Sequence, residues 1–209
     1  MNRFIQDKIP VADSEATMVH RQGSGKTSFD TRSDNIFLVG LRGSGKSTLG
    51  KLLARRLGMT FVDTDEMVVQ KNGHSIPEIV ASESWEAFRR LESDVLQEVC
   101  NEKGQVVATG GGIILAPDNL KRIQQSGTTF YLMTRIPTLL QRLTSSTARQ
   151  DRPPLSDLPL EQELIQCNIQ RGPLYMCAAT HILHTDGVIE DSLADALEKL
   201  GLTDTPYSE

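Results

Sequence analysis

No apolar run in this chain approaches the roughly 20 residues that a membrane-spanning helix needs, so the sequence offers no transmembrane segment. Nothing near Met1 has the apolar core of a signal peptide, and Asp7, Asp13 and Glu15 stand where an organelle transit peptide avoids acids. The cytoplasm is the expected location. Lysine and arginine number 22 against 27 aspartates and glutamates, and the formal charge of -5 argues against a general nucleic-acid binder, whose affinity rests on clustered cations. Cysteine is scarce. Cys100, Cys167 and Cys177 have neither metal-ligand spacing nor the even count of a disulfide framework, which fits a reducing compartment. His20, His74, His181 and His184 show no triad or metal spacing, and no internal repeat is present. What remains is 209 residues with an apolar fraction of 38%, enough for one domain around one sizeable core. A monomer without membrane or nucleic-acid partners is expected.

Residues 1 to 34 are polar and without a sustained period, and read as a flexible N-terminal extension. From 35 to 200 short apolar runs alternate with helical patterns, and 201 to 209 form a C-terminal tail. Strands are expected at Ile36 to Val39, Met59 to Val62, Gln105 to Thr109, Thr128 to Met133 and Thr180 to Leu183. A helix capped by Ser82 or Ser84 places Trp85, Phe88, Leu91, Val95, Leu96 and Val99 on one face. Strands alternating with helices imply an α/β fold, a mainly parallel sheet covered on both faces in three α/β/α layers. Ligands gather at the C-terminal strand ends of such sheets, and Gly40, Asp63 and Gly110 each lie just beyond one.

Gly40-Leu41-Arg42-Gly43-Ser44-Gly45-Lys46-Ser47 follows the first strand and opens a helix, the order of a phosphate-binding loop. Glycines at 40, 43 and 45 let successive N–H groups turn toward an anion. The helix adds about half a positive charge at its N-terminus, and Lys46 a whole one. Ser47 offers a hydroxyl to Mg²⁺, and Asp63 is the candidate for a second oxygen ligand. The upstream echo, Gly23 to Thr27, has His20 where the pattern needs glycine and follows no strand, so it reads as coincidence.

Other constellations carry two readings each. Asp65 either aligns and deprotonates an acceptor hydroxyl or caps the helix that follows. Arg89 either binds an anion or pairs with Glu92 on a solvated face. Gly110-Gly111-Gly112 either admits a close neighbour or is a plain turn. Thr144 to Leu158, with Arg149 and Arg152, is either a mobile lid bringing an arginine to the phosphates or an exposed linker. Arg171 falls near an expected helix end, where it could satisfy terminal carbonyls.

Taken together, the phosphate loop, Asp63-Thr64-Asp65, Phe88 to Glu92, the triple glycine, Arg152-Pro153 and Arg171 to Tyr175 resemble the shikimate kinase family over about residues 35 to 200. The resemblance implies a P-loop kinase sheet of five parallel strands with a mobile lid, and transfer of the ATP γ-phosphoryl group to the 3-hydroxyl of shikimate. By position it assigns Gly43, Ser44, Gly45, Lys46, Ser47 and Thr48 to the nucleotide phosphates, with Ser47 and Asp63 on the Mg²⁺ side. Asp65, Arg89, Gly110, Gly111, Gly112 and Arg171 fall to the acceptor pocket, and Arg152 to the lid over ATP, with Lys46, Asp65 and Arg152 as the catalytic set. The usual Arg-Pro-Leu-Leu reads Arg152-Pro153-Pro154-Leu155 here, which leaves the lid's closed shape open and Arg142 as the candidate for the adenine. The rival readings are a gluconate or nucleoside-monophosphate kinase and a nucleotide switch. Asn-Lys-x-Asp and Asp-x-x-Gly, the marks of a switch GTPase, are absent.

Overall fold

The structure is a computed structural model that describes residues 29–145 and 158–202. The echo at 23–27 and the arginines Arg149 and Arg152 lie outside the described residues.

The first strand, β1 (Asn35–Val39), is buried along its whole length and alternates cleanly between two cores. Phe37 and Val39 face one side; Ile36 and Leu38 face the other. That division repeats in β3 (Gln105–Ala108) with Val107 against Val106, and in β4 (Gly127–Met133) with Tyr131 against Phe130 and Leu132. A period of two with both faces apolar is what a sheet between two helical layers requires. With β2 (Thr60–Asp63) and β5 (His181–His184) the strands stand in the order β2-β3-β1-β4-β5, all parallel. Phe37 pairs with Val107 on one side and Thr129 on the other, so β1 is the central strand.

The helices divide as the faces do. Leu49, Leu53 and Ala54 of α1 (Lys46–Leu57) and Ala196 and Leu197 of α8 (Ile189–Lys199) close one core. The other core is closed by α2 (Thr64–Asn72), α3 (Ile76–Ser82), α4 (Trp85–Asn101), α5 (Pro117–Ser126), α6 (Ile136–Ser145) and α7 (Leu160–Ala178). Asp30 anchors a turn before β1, accepting from Arg32 N and Ser33 Oγ, and Phe29 packs on the α1 and α8 core. Among the described residues no helix is long and apolar enough to cross a membrane.

Two elements depart from the sequence reading. Helix α3 was not foreseen, although Ser75-Ile76-Pro77-Glu78 carries a capping box with proline in the first turn. Helix α7 continues past Arg171 and Pro173 to Ala178 rather than ending there. Pro173 forfeits a helical bond, at about 3 kcal/mol, but Tyr175 and Ala178 beyond it are buried in the core, each apolar burial offsetting part of that cost. Of the two possible caps for α4, Ser84 is the one used, its Oγ accepting from Ala87 N at 3.2 Å.

Candidate active site

The phosphate loop leaves the C-terminal end of the central strand. Gly45 is the N-cap of α1 in the left-handed region, φ 95°, and its side-chain position contributes no capping bond. No acid occupies the first turn. The helix therefore presents its N-terminal N–H groups and dipole outward, an arrangement suited to an anion. Lys46 is nearly buried, and its Nζ donates to the carbonyls of Gly40 and Leu41, both at 2.9 Å, which curls the loop around it. Ser44 is fully buried beneath the loop.

Ser47 Oγ donates to Asp63 Oδ2 at 2.6 Å and so ties α1 to the end of β2. The other Asp63 oxygen accepts from Asp65 N at 3.0 Å, making Asp63 the cap of α2. Asp65 is thus not the cap. It lies one residue into the helix, 7% exposed, with its carboxylate directed at Gly110. Thr64 Oγ1 accepts from Gly110 N at 3.0 Å, which fastens the triple glycine to the same strand end. Ser47 and Asp63 form an oxygen-only donor pair of the kind Mg²⁺ takes alongside phosphate oxygens and water. Among the described residues there is no larger cluster of His, Cys, Asp or Glu able to enclose a metal by itself.

Beside the loop is a smaller cavity walled by Asp65, Arg89, Glu92, Gly111, Gly112 and Arg171, with Trp85 and Phe88 among its apolar lining. Side-chain ends of the site crowd the backbone at 110 and 112, so that any larger residue there would have to push them aside. A β-carbon at Gly110 would collide with Glu92 Oε1 and Asp65 Oδ1, and one at Gly112 with the Arg89 guanidinium. Arg89 pairs with Glu92, three residues along α4, and lies over the Trp85 and Phe88 rings at 5.4 and 5.3 Å. The pair is not a solvated face, since Glu92 is 1% exposed. Burial pushes the Glu92 carboxyl up to about 7, Arg89 opposing the shift and Asp65 adding to it. From α7, Arg171 Nη1 and the Tyr175 hydroxyl both donate to the Gly111 carbonyl, at 3.3 and 2.5 Å. Tyr175 stacks on Tyr131 of β4 at 5.2 Å.

A larger, more open cleft joins this cavity. Gly43, Gly45, Lys46, Ser47, Thr48 and Asp63 line it, together with Arg142 and Gly187. Arg142 reaches from α6 to donate to the Thr185 carbonyl at 2.6 Å and the Gly43 carbonyl at 3.4 Å, bridging β5 and the loop. Of the residues assigned from sequence to nucleotide, metal or acceptor, the two cavities gather all but Ser44 and Gly110, and Arg152, which is outside the described residues. Sequence reasoning did not assign Glu92, Tyr175, Arg42 or Glu163 to the site. Glu92, Tyr175 and Arg42 stood inside quoted motifs, Arg42 at a loop position the pattern leaves free, whereas nothing local marked Glu163.

Comparison with known proteins matches residues 42–200 to the family model for shikimate kinase. A shikimate kinase of Nitratidesulfovibrio vulgaris is 38% identical over 163 residues, 76% of this chain and 93% of that protein. Among solved structures, shikimate kinase from Acinetobacter baumannii in complex with shikimate superposes with a TM-score of 0.75 at 36% identity, covering 81% of this chain and 93% of that one. A gluconokinase from Sinorhizobium meliloti aligns over 81% of this chain and 93% of its own with a TM-score of 0.54 and 12% identity, a likeness of fold alone.

Proposed function

The chain belongs to the shikimate kinase family, and we infer that it transfers the γ-phosphoryl group of ATP to the 3-hydroxyl of shikimate, yielding shikimate 3-phosphate and ADP for aromatic amino-acid synthesis. One observation carries this reading: a carboxylate and two arginines, Asp65, Arg89 and Arg171, wall one cavity that opens onto the phosphate loop. Shikimate presents one carboxylate and three hydroxyls. A guanidinium fork fits the first, and Asp65 with the glycine backbone fits the second.

The loop N–H groups and Lys46 hold the nucleotide phosphates, and Thr48 lines the same cleft. Ser47 and Asp63 would hold Mg²⁺, which would supply charge neutralisation for the nucleotide phosphates. Asp65 aligns the acceptor hydroxyl with the γ-phosphorus and takes its proton as the new ester bond forms. Arg89 and Arg171 fix the acid end of the ring, so that the hydroxyl rather than the carboxylate meets the phosphoryl group. Arg152, which lies outside the described residues, is carried over from the resemblance as a further cation for the phosphates. Arg142, on the wall of the same cleft, is the candidate surface for adenine.

ADP release measured with shikimate, gluconate or a nucleoside monophosphate as acceptor tests the assignment. Turnover is expected with shikimate, falling about 10²- to 10⁴-fold in D65N while ATP binding is kept. Comparable turnover of gluconate or a nucleotide, or an undiminished D65N enzyme, would count against it.

A further inference from the structure

Three of the described residues border both cavities: Arg42, Asp65 and Ile76. Asp65 is the carboxylate assigned to the acceptor hydroxyl. Arg42 is a cation on the same boundary, in a loop position that the phosphate-binding pattern leaves free. Its Nη2 donates to Glu163 Oε1 at 2.5 Å, and its Nε is buried without a hydrogen-bond partner. Glu163, 4% exposed in the first turn of α7, balances the half-buried Arg42 guanidinium. A guanidinium carries five N–H donors in a rigid fork, so one carboxylate contact leaves capacity for another anion.

The smaller cavity already holds Arg89 and Arg171 for the single carboxylate of the acceptor. A third guanidinium placed at the threshold meets a different need. The group that passes this threshold during reaction is the phosphoryl group. We propose that Arg42 contacts the phosphoryl group as it crosses from ATP to the acceptor, and therefore grips the phosphorylated product more tightly than the acceptor itself. In that step the acceptor oxygen bonds to the γ-phosphorus while the bond from that phosphorus to the β–γ bridging oxygen breaks. ADP departs with the electron pair, the hydroxyl proton passes to Asp65, and Arg42 keeps its own protons throughout.

The proposal rests on the phosphorylation of shikimate, and its test separates the two. Initial rates of the full chain, of R42M, of R42K and of E163Q are measured against ATP and shikimate, with shikimate 3-phosphate as product inhibitor. R42M is expected to weaken product inhibition and lower kcat, each about 10- to 100-fold, with little change in the shikimate KM. R42K should recover part of both losses, because charge returns without the fork. E163Q keeps an acceptor for Arg42 but removes its charge, and should leave product inhibition as tight or tighter. Product inhibition unchanged in R42M and R42K overturns the proposal, as does an equal loss in E163Q, which would reduce Arg42 to a tie between the loop and α7. Failure of the unaltered chain to phosphorylate shikimate would instead sink the reading beneath it.

Discussion

Glu92 sits where three influences meet: burial, the Arg89 guanidinium and the Asp65 carboxylate. Because its carboxyl is raised from an ordinary 4.5 to about 7, the folded chain holds a proton across a window in which the unfolded chain has released it. The stability this gives is complete below the ordinary value and is lost as pH rises through 7. Urea unfolding at pH 5.5 and at pH 8 should differ by up to about 2 kcal/mol on account of this group, with the acidic sample the more stable. E92Q, which mimics the protonated form, should flatten that difference, and an unchanged pH slope in the variant would show that Glu92 does not titrate there. Local spacing could not reveal this. An arginine and a glutamate three apart on a helix look alike whether they face water or the core, and it is residues distant in sequence, Asp65, Gly110, Gly112 and Arg171 among them, that close around this pair.

Helix α4 carries Arg89 and Glu92 of the acceptor wall beyond its first turn. Its entry depends on one hydroxyl, Ser84 Oγ, accepting from Ala87 N at 3.2 Å. S84A should lower stability by about 1 kcal/mol and leave the kinetics of shikimate phosphorylation close to those of the unaltered chain, read from thermal melts and initial rates. A serine next to an apolar stripe of helical period made this cap legible in the sequence. The same holds for β1 and the loop after it, where a buried strand meets closely spaced glycines. Helix α3 was harder to read, because its seven residues are too few for a period to declare itself. Beyond Arg171, the proline argued for an end that the burial of Tyr175 overrides. Propensity is local, and burial is decided by the other side of the molecule.

At the scale of the whole molecule, alternation of strand and helix was enough to imply the parallel sheet, and rules of handedness restrict how such strands can be wound. The strand order, which brings the ends of β1, β2 and β3 together at the site, depends on long-range pairing that no window of sequence contains. The margin of the domain is similarly non-local. Phe29 packs on the α1 and α8 core, and the Thr31 carbonyl lies 3.1 Å from where a β-carbon on Gly104 would stand. A chain truncated to begin at residue 29 keeps this turn and Phe29, and serves as the reference. Removing 1–34 strips this turn and Phe29, and should cost about 1 to 3 kcal/mol, visible as a lower urea midpoint. Equal stability of the two truncations would show that the turn contributes nothing.

The Gly111 carbonyl, which accepts from both Arg171 and Tyr175, has a consequence for inhibitor chemistry. A carbonyl oxygen has two lone pairs, and here the protein's own donors claim both. A competitive compound that offers a hydroxyl or amine to that oxygen would have to displace a buried tyrosine. Compounds that present an acceptor to the neighbouring amides would avoid that penalty.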